Sequence, residues 1–334
     1  MSGEKTKGLT PTHGEMNRIV VLDTGYPSYK YELELFGAHG YRFELFTGAP
    51  EEKTRKIEFA EDAVGILVRG TLIDGEALGM MRNLKAIVRY GTGYENIDLE
   101  RARERGIRVA NVQGYANHAV SDHALGLMLA CIRGIGATWP EGFGKPARPE
   151  VFELHDKTLG IIGIGRIGSH FSKKASPMFR HTLAYDPYQS AEKMSASGAE
   201  KSELDEVLEK SHVISIHAAL TPETRHLLDR RALQQTQEKP VVINTARGAI
   251  IDGSALVEAL DRGWIHSAGI DVYEHEPPGA TERTLLDHPG VTATPHVAWY
   301  SEQAAKELQR RAADNLLALL LDREVPDEIM PAQP

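Results

Sequence analysis

Apolar, β-branched runs alternate with amphipathic stretches along nearly the whole chain, the pattern of parallel α/β architecture. Before residue 115 the apolar runs fall at 18–22, 41–46, 64–69, 84–90 and 107–112. Helical periodicity lies between them, around 28–38, 52–62, 73–82 and 98–105. From about Ala119 to Arg133 the chain is apolar on almost every side, which predicts a buried helix. Four glycines and three prolines between Gly134 and Pro149 then predict a loop. Further strands are expected at 159–162, 182–186, 213–217, 240–245, 267–273 and 291–294, each separated by a helical stretch. A last helix is expected from Ser301, a plausible N-cap, to about Leu321.

The pattern thus predicts two doubly wound parallel sheets of about five or six strands each. The last helix follows the completed second set and is expected to fold back onto the first. The expected division is a flexible leader at 1–16, one domain from 17–115 and 299–330, and a second from 116–298.

Glycine spacing adds chemistry to the second set. The run Leu159-Gly-Ile-Ile leads into Gly163-Ile-Gly165-Arg166-Ile167-Gly168, then a helix, then a strand ending at Tyr185-Asp186-Pro187. This is G-x-G-x-x-G between strand and helix, with an acid 18 residues after the last glycine. The first glycine permits a tight turn, the second lets backbone approach a pyrophosphate, and the third lets helix and strand pack closely. A helix start there offers N–H groups and a positive dipole end to phosphates. Asp186 is placed to bind the adenosine ribose hydroxyls and would repel a 2′-phosphate, so the expected cofactor is NAD. Asp before Pro187 is also ordinary turn chemistry.

Ligands of doubly wound sheets sit at the carboxyl ends of the strands. There the sequence offers Thr245-Ala246-Arg247-Gly248, Asp271 followed by His275-Glu276-Pro277, and Pro295-His296. An Arg, a Glu and a His on one crest suit hydride exchange between a ketone and an alcohol. His296 would give and take the carbonyl proton, Glu276 would fix its tautomer, and Arg247 would offer a planar fork to a carboxylate or carbonyl.

Composition narrows the field. The 334 residues carry 38 basic and 47 acidic side chains, a net charge of -9 that speaks against nucleic acid or an anionic membrane as partner. The single cysteine, Cys131, excludes an internal disulfide, fits a reducing, cytoplasmic setting, and sits in an apolar run that predicts core packing. No run is apolar for long enough to span a membrane, and Met1 to Asn17 has no apolar segment of the secretory kind. No metal site is expected.

These motifs resemble the D-isomer-specific 2-hydroxyacid dehydrogenases. The matching segments are Thr158 to Gly168, His217-Ala-Ala-Leu-Thr-Pro-Glu-Thr-Arg225, Asn244-Thr-Ala-Arg-Gly248, Gly269-Ile-Asp-Val-Tyr273 with Glu276-Pro277, and Thr294-Pro-His296. The resemblance covers residues 18 to 325. It implies a homodimer of two-domain subunits, a Rossmann NAD-binding domain beside a flavodoxin-like substrate domain, and an active site in the cleft between them. It also implies the Arg247–Glu276–His296 set and contact of Asp271 with the nicotinamide carboxamide. Cofactor contacts are expected at Gly163, Gly165, Arg166, Ile167, Gly168, Asp186, His217, Thr245 and Ala246.

Val88 to Asp98 and His296 to Gln303 look closest to the branch of C-terminal-binding protein corepressors and their bacterial enzyme relatives. That similarity suggests that Arg89, beside Gly91, contacts the substrate carboxylate. It also suggests that Trp299 lines the substrate pocket, although interdomain packing would explain an indole there too. The loop holding Arg69 and Gly70 is expected to present backbone N–H groups to the same carboxylate.

Ala219 stands where the family has proline, Asn117 where it has threonine, and the Gly134–Pro149 loop does not match. The implied activity is NAD-dependent interconversion of a small 2-keto and D-2-hydroxy acid. An indole at Trp299 favours planar or apolar tails over phosphorylated ones. The alternatives are an NAD(H)-sensing scaffold with little turnover and, less in keeping with the His296 context, oxidation of formate or phosphite.

Overall fold

The computed structural model describes residues 17–135 and 151–330. The expected leader and most of the Gly134–Pro149 loop lie outside them. The described residues divide into two compact units, one running to Tyr115 and resuming at Glu302, the other lying between Ala116 and Ser301.

The strands, in chain order, are β1 Arg18–Val21, β2 Arg42–Leu45, β3 Ala63–Val68, β4 Ala86–Arg89, β5 Arg108–Ala110 and β6 Thr158–Ile162. They continue with β7 His181–Tyr185, β8 Glu200–Lys201, β9 Val213–Ile216, β10 Val241–Asn244, β11 Ser267–Ile270, β12 Val291–Ala293 and β13 Glu328–Met330. Apart from β8 and β13, each has bounds within two residues of an expected strand, except that β11 stops at Ile270, three residues short of the expected end at 273. Strands β8 and β13 were missed because Glu200-Lys201 is short and exposed, and Glu328-Ile-Met330 carries no alternating pattern.

The first unit holds a sheet in the order β13-β5-β4-β3-β1-β2. It is parallel except for β13, which runs antiparallel to β5. All six residues of β3 are buried, as a strand covered on both faces requires. One cover is the helix Glu302–Leu320, which buries Leu308, Ala312, Leu316 and Leu317 and packs on β3 and β4. Gly65 allows the close approach: a side chain there would meet Leu316 and Leu320 at 3.1–3.2 Å. Ion pairs secure the return. Arg108 on β5 holds Glu328 at 2.6 Å, and Arg311 on the helix holds Asp327 at 2.6 Å.

The second unit holds a fully parallel sheet in the order β12-β11-β10-β9-β6-β7-β8. Chain order reverses on either side of β6, so the crevice of a doubly wound sheet falls at the carboxyl end of β6, where the glycines stand. The helix Asn117–Arg133 covers one face, burying Ala124, Leu127, Met128, Cys131 and Ile132 against β10 and β11. It is buried along one stripe rather than on every side. Leu125 and Leu129 are half-buried, and Gly126 and Arg133 are exposed. Among the described residues no helix is long and apolar enough to cross a membrane.

Candidate active site

The glycine loop leaves β6 and enters the helix Arg166–Ala175, with Gly165 as its N-cap. Each glycine has its own reason. Gly163 has φ +89°, and a side chain there would collide with the backbone of Ala218. A Cβ on Gly168 would sit 2.1 Å from the carbonyl oxygen of Gly163, so helix and loop touch backbone to backbone. Gly165 differs, because nothing lies within 4 Å of where its Cβ would be. Gly165 stands at the start of that helix, whose leading N–H groups lack intrahelical partners. A pyrophosphate would fit there.

Asp186 follows β7 and braces this loop. Its Oδ2 accepts the Ile164 N–H at 3.0 Å and its Oδ1 the Tyr188 N–H at 3.0 Å. The second bond is the turn chemistry that Asp-Pro also predicted.

His217 lies behind the loop rather than in front of it. Its Nε2 is 2.9 Å from Ser215 Oγ, its ring packs on Phe171, and burial pushes its pKa down to about 3. Nδ1 is buried without a partner among the described residues. The ring is therefore neutral, and His217 packs against the glycine loop, its Cβ 3.4 Å from where a Cβ on Gly168 would lie. Thr245 is likewise buried, with its hydroxyl unpartnered among the described residues, while Ala246 is half-buried.

Three strand ends carry the expected catalytic trio. Arg247 follows β10, where Asn244 shapes the turn by donating to the Arg247 carbonyl at 2.9 Å and accepting the Ala246 N–H at 3.0 Å. Glu276 follows β11, with Oε1 accepting the Tyr273 N–H at 3.0 Å. Its other oxygen, Oε2, lies 2.5 Å from His296 Nδ1. Burial raises the Glu276 pKa, but the His296 hydrogen bond and charge, the Tyr273 N–H and Arg247 together hold it below the usual range. The carboxylate can only accept, so His296 Nδ1 is the donor.

His296 itself has φ +52°, in the left-handed region that costs a residue of this type about 1–2 kcal/mol. Its neighbours explain how the turn holds. The His296 N–H donates to the Asp271 carbonyl at 2.9 Å. The Asp271 carboxylate accepts from the Thr294 hydroxyl at 2.5 Å and from the Val297 and Ala298 N–H groups at 3.0 and 2.9 Å. Asp271 has no exposed surface. In this structure the Asp271 carboxylate, for which the resemblance implies contact with the nicotinamide carboxamide, anchors the His296 turn. His123, on the helix Asn117–Arg133, completes the anchor through Thr294 Oγ1 at 2.9 Å. That link joins residues 171 positions apart, and no sequence pattern marks it. Trp299 belongs to this second unit, half-buried with its ring edge-on to Tyr300 at 5.5 Å, so the chain leaves the unit after Ser301 and not before Trp299.

In the first unit the Arg69–Gly70 loop departs from expectation. The N–H groups of Arg69, Gly70 and Thr71 all donate to Asp23 Oδ2, at 2.7, 2.9 and 3.0 Å. An internal carboxylate thus fills the nest that was expected to hold a substrate carboxylate. Lys56, itself buried, pairs with the other oxygen of Asp23 at 2.6 Å. Burial works against ionisation of Asp23, yet the bonds from Lys56, Thr71 and Arg69 pull its pKa down to about 2. The guanidinium groups remain as candidates for an anion. Arg69 lies over the Tyr26 ring at 5.1 Å. Arg89, at the end of β4, folds back so closely over Gly91 (φ +132°) that a Cβ there would be 1.6 Å from its Nη1. Among the described residues no cluster of His, Cys, Asp and Glu could hold a metal.

Comparison with known proteins agrees with this geometry. Residues 125–298 match the model for the NAD binding domain of D-isomer specific 2-hydroxyacid dehydrogenase. The chain is 36% identical over 310 residues to a D-3-phosphoglycerate dehydrogenase of Methanocaldococcus jannaschii, across 91% of this chain and 58% of that protein. It is 35% identical over 292 residues to a hydroxypyruvate reductase of Thermotoga maritima, across 86% of this chain and 90% of the relative. It thus spans little more than half of the phosphoglycerate dehydrogenases it matches and nearly all of the reductase. The apo-structure of D-lactate dehydrogenase from Escherichia coli superposes with a TM-score of 0.79 at 31% identity, covering 94% of this chain and all of that one. With its glycine loop, crest residues and NAD-binding unit all accounted for, the chain belongs to the D-isomer specific 2-hydroxyacid dehydrogenase family.

Proposed function

We propose that the protein is an NAD-dependent oxidoreductase that interconverts a small 2-keto acid and its D-2-hydroxy acid. The observation that carries the reading is the contact between His296 Nδ1 and Glu276 Oε2, on the same crest as the glycine loop. NAD, when bound, supplies or accepts the hydride. The open side of Gly165 and the start of the helix Arg166–Ala175 would hold its phosphates, and Asp186 its ribose hydroxyls.

In the direction of reduction, His296 gives the proton on Nε2 to the carbonyl oxygen that becomes the hydroxyl. Glu276 keeps the imidazolium oriented and balanced in charge. In oxidation the same nitrogen takes the proton back. Arg247 fixes the carboxylate or carbonyl through its fork. Arg69 and Arg89 of the first unit are the proposed anion contacts, and Trp299 of the second is the proposed contact for the substrate tail. Homodimerisation is part of the proposal, resting on family membership. The relatives' names favour an enzyme over a nucleotide-sensing scaffold. They include hydroxypyruvate and glyoxylate reductases, which makes these two keto acids the first substrates to try.

The test follows NADH absorbance with glyoxylate, hydroxypyruvate, pyruvate, phenylpyruvate and 4-methylthio-2-oxobutyrate. Turnover of at least one, lost about 10²–10⁴-fold in His296→Ala, is the expected result. Tight NADH binding with no turnover of any 2-keto acid would overturn it.

A further inference from the structure

Glu274 stands two residues before Glu276 and is held by two side chains from a different loop. Arg225 Nη2 donates to its Oε1, and His226 Nε2 is 3.1 Å from its Oε2. Both belong to the segment after β9, which is shaped by Thr221 and Thr224: the Thr224 hydroxyl donates to the Ala219 carbonyl at 2.7 Å, and the Arg225 N–H to the Thr221 carbonyl at 2.9 Å.

The same segment also grips the Arg247 loop. The His226 N–H donates to the Ala249 carbonyl at 2.8 Å, and the Leu228 N–H to the Ile250 carbonyl at 3.1 Å. His226 makes both links from a left-handed backbone, φ +51°, which a histidine adopts only where its surroundings impose it. Between the two gripped loops there is no slack. A Cβ on Gly248 would fall 2.0–2.4 Å from the backbone of Tyr273 and Glu274.

We infer that His226 and Glu274 are positioning residues that fix Glu276 relative to Arg247, His226 bridging the two loops through its backbone and its ring. The inference rests on the catalytic reading of Arg247, Glu276 and His296, and goes beyond it by assigning a role to residues outside the trio. The geometry is specific. His226 is bound on one side two residues after Arg247 and on the other two residues before Glu276. Loss of the ring contact frees the Glu276 turn without touching the glycine loop or the Asp271 bonds that hold the His296 turn. The expected consequence is therefore a defect in the chemical step with cofactor binding intact. Because Glu274 accepts from both partners, a donor of similar reach at position 226 should restore part of the function, whereas an apolar one should not.

The experiment compares Glu274→Ala, His226→Ala and His226→Gln with the parent, using the best substrate of the panel. The readouts are kcat, KM, NADH affinity by fluorescence, Tm, and the pH dependence of kcat. The expected result is a five- to fifty-fold fall in kcat for the two alanine variants, NADH affinity within twofold of the parent, a displaced acid limb of the kcat profile, and partial recovery in His226→Gln. Unchanged kcat and pH profile in both alanine variants, with or without a lower Tm, would overturn it. So would an equal loss in His226→Gln and His226→Ala. Should His296→Ala retain full activity, the catalytic reading itself fails; a dead His296→Ala beside an unaffected Glu274→Ala refutes only the positioning role.

Discussion

Glu276 Oε2 meets His296 Nδ1 at 2.5 Å while its own Oε1 is tied to the Tyr273 N–H, so one carboxylate sets both the place and the tautomer of the imidazole. Glu276→Gln keeps the shape and removes the charge. We expect kcat to fall roughly 10²-fold with little change in NADH affinity, because the imidazolium loses its counter-charge only where the proton is transferred. The pH dependence of stability has a definite sign. The folded Glu276 pKa lies below its ordinary value, so its stabilising effect is present above the usual carboxylate range and lost as pH falls through the folded value. Melting curves of parent and variant should separate at neutral pH and converge in acid. A constant gap at all pH would show that Glu276 acts through shape alone.

The three glycines of the loop should respond differently to one added methyl. Gly168→Ala places a carbon 2.1 Å from a carbonyl oxygen that cannot move without shifting the loop. It should cost 1–3 kcal/mol or about that much, seen as a lower Tm, and abolish NADH binding. Gly165→Ala meets nothing within 4 Å. Its Tm should stay near the parent's while NADH affinity drops at least tenfold, since the methyl occupies the space proposed for the pyrophosphate. Equal damage to Tm in both variants would remove the distinction.

Asp186 carries two duties, and substitution should expose both. The carboxylate braces Ile164 in the glycine loop and is proposed to repel a 2′-phosphate. The parent should favour NADH over NADPH by more than tenfold in kcat/KM. In Asp186→Ser that ratio should shrink, because NADPH improves while NADH worsens. A parent that uses both cofactors equally would end the argument.

Asp23 predicts an acid-labile element in the first unit. Its side chain is only 13% exposed, and its pKa falls from 3.8 to about 2. A shift of that size corresponds to about 2 kcal/mol of stability, present above the unfolded pKa and lost as pH falls toward the folded one. Asp23→Asn should therefore lower Tm by a few degrees at neutral pH and by much less once the pH has fallen to about 2. It also leaves Lys56 buried without its counter-charge, which adds to the neutral-pH loss.

Most of the fold was legible because buried parallel strands must be continuous apolar runs, and such runs as Ala63–Val68 admit few other readings. The crest residues Arg247, Glu276 and His296 were legible for a related reason: they follow strand ends directly, and strand ends are where doubly wound sheets bind ligands. What stayed hidden involves partners far apart in sequence. The Asp23 carboxylate in the Arg69–Thr71 nest, the His123–Thr294 contact and the Arg225–Glu274 pair each join segments whose separation no local pattern encodes. Asp271 shows the same limit from the other side. Only the resemblance gave it a role, and its bonds to the Val297 and Ala298 N–H groups depend on the three-dimensional course of the next loop.

The helix Glu302–Leu320 gives the two units different histories during synthesis. Residues 116–301 are contiguous, so the second unit has all its strands once Ser301 has left the ribosome. The first unit is still missing the cover of β3 and β4 at that moment, although its strands β1–β5 were made first. The earlier-born sheet must wait, with an apolar face open to water or to a chaperone, for a helix that arrives nearly two hundred residues later; its exposure is a matter of translation time as much as of sequence.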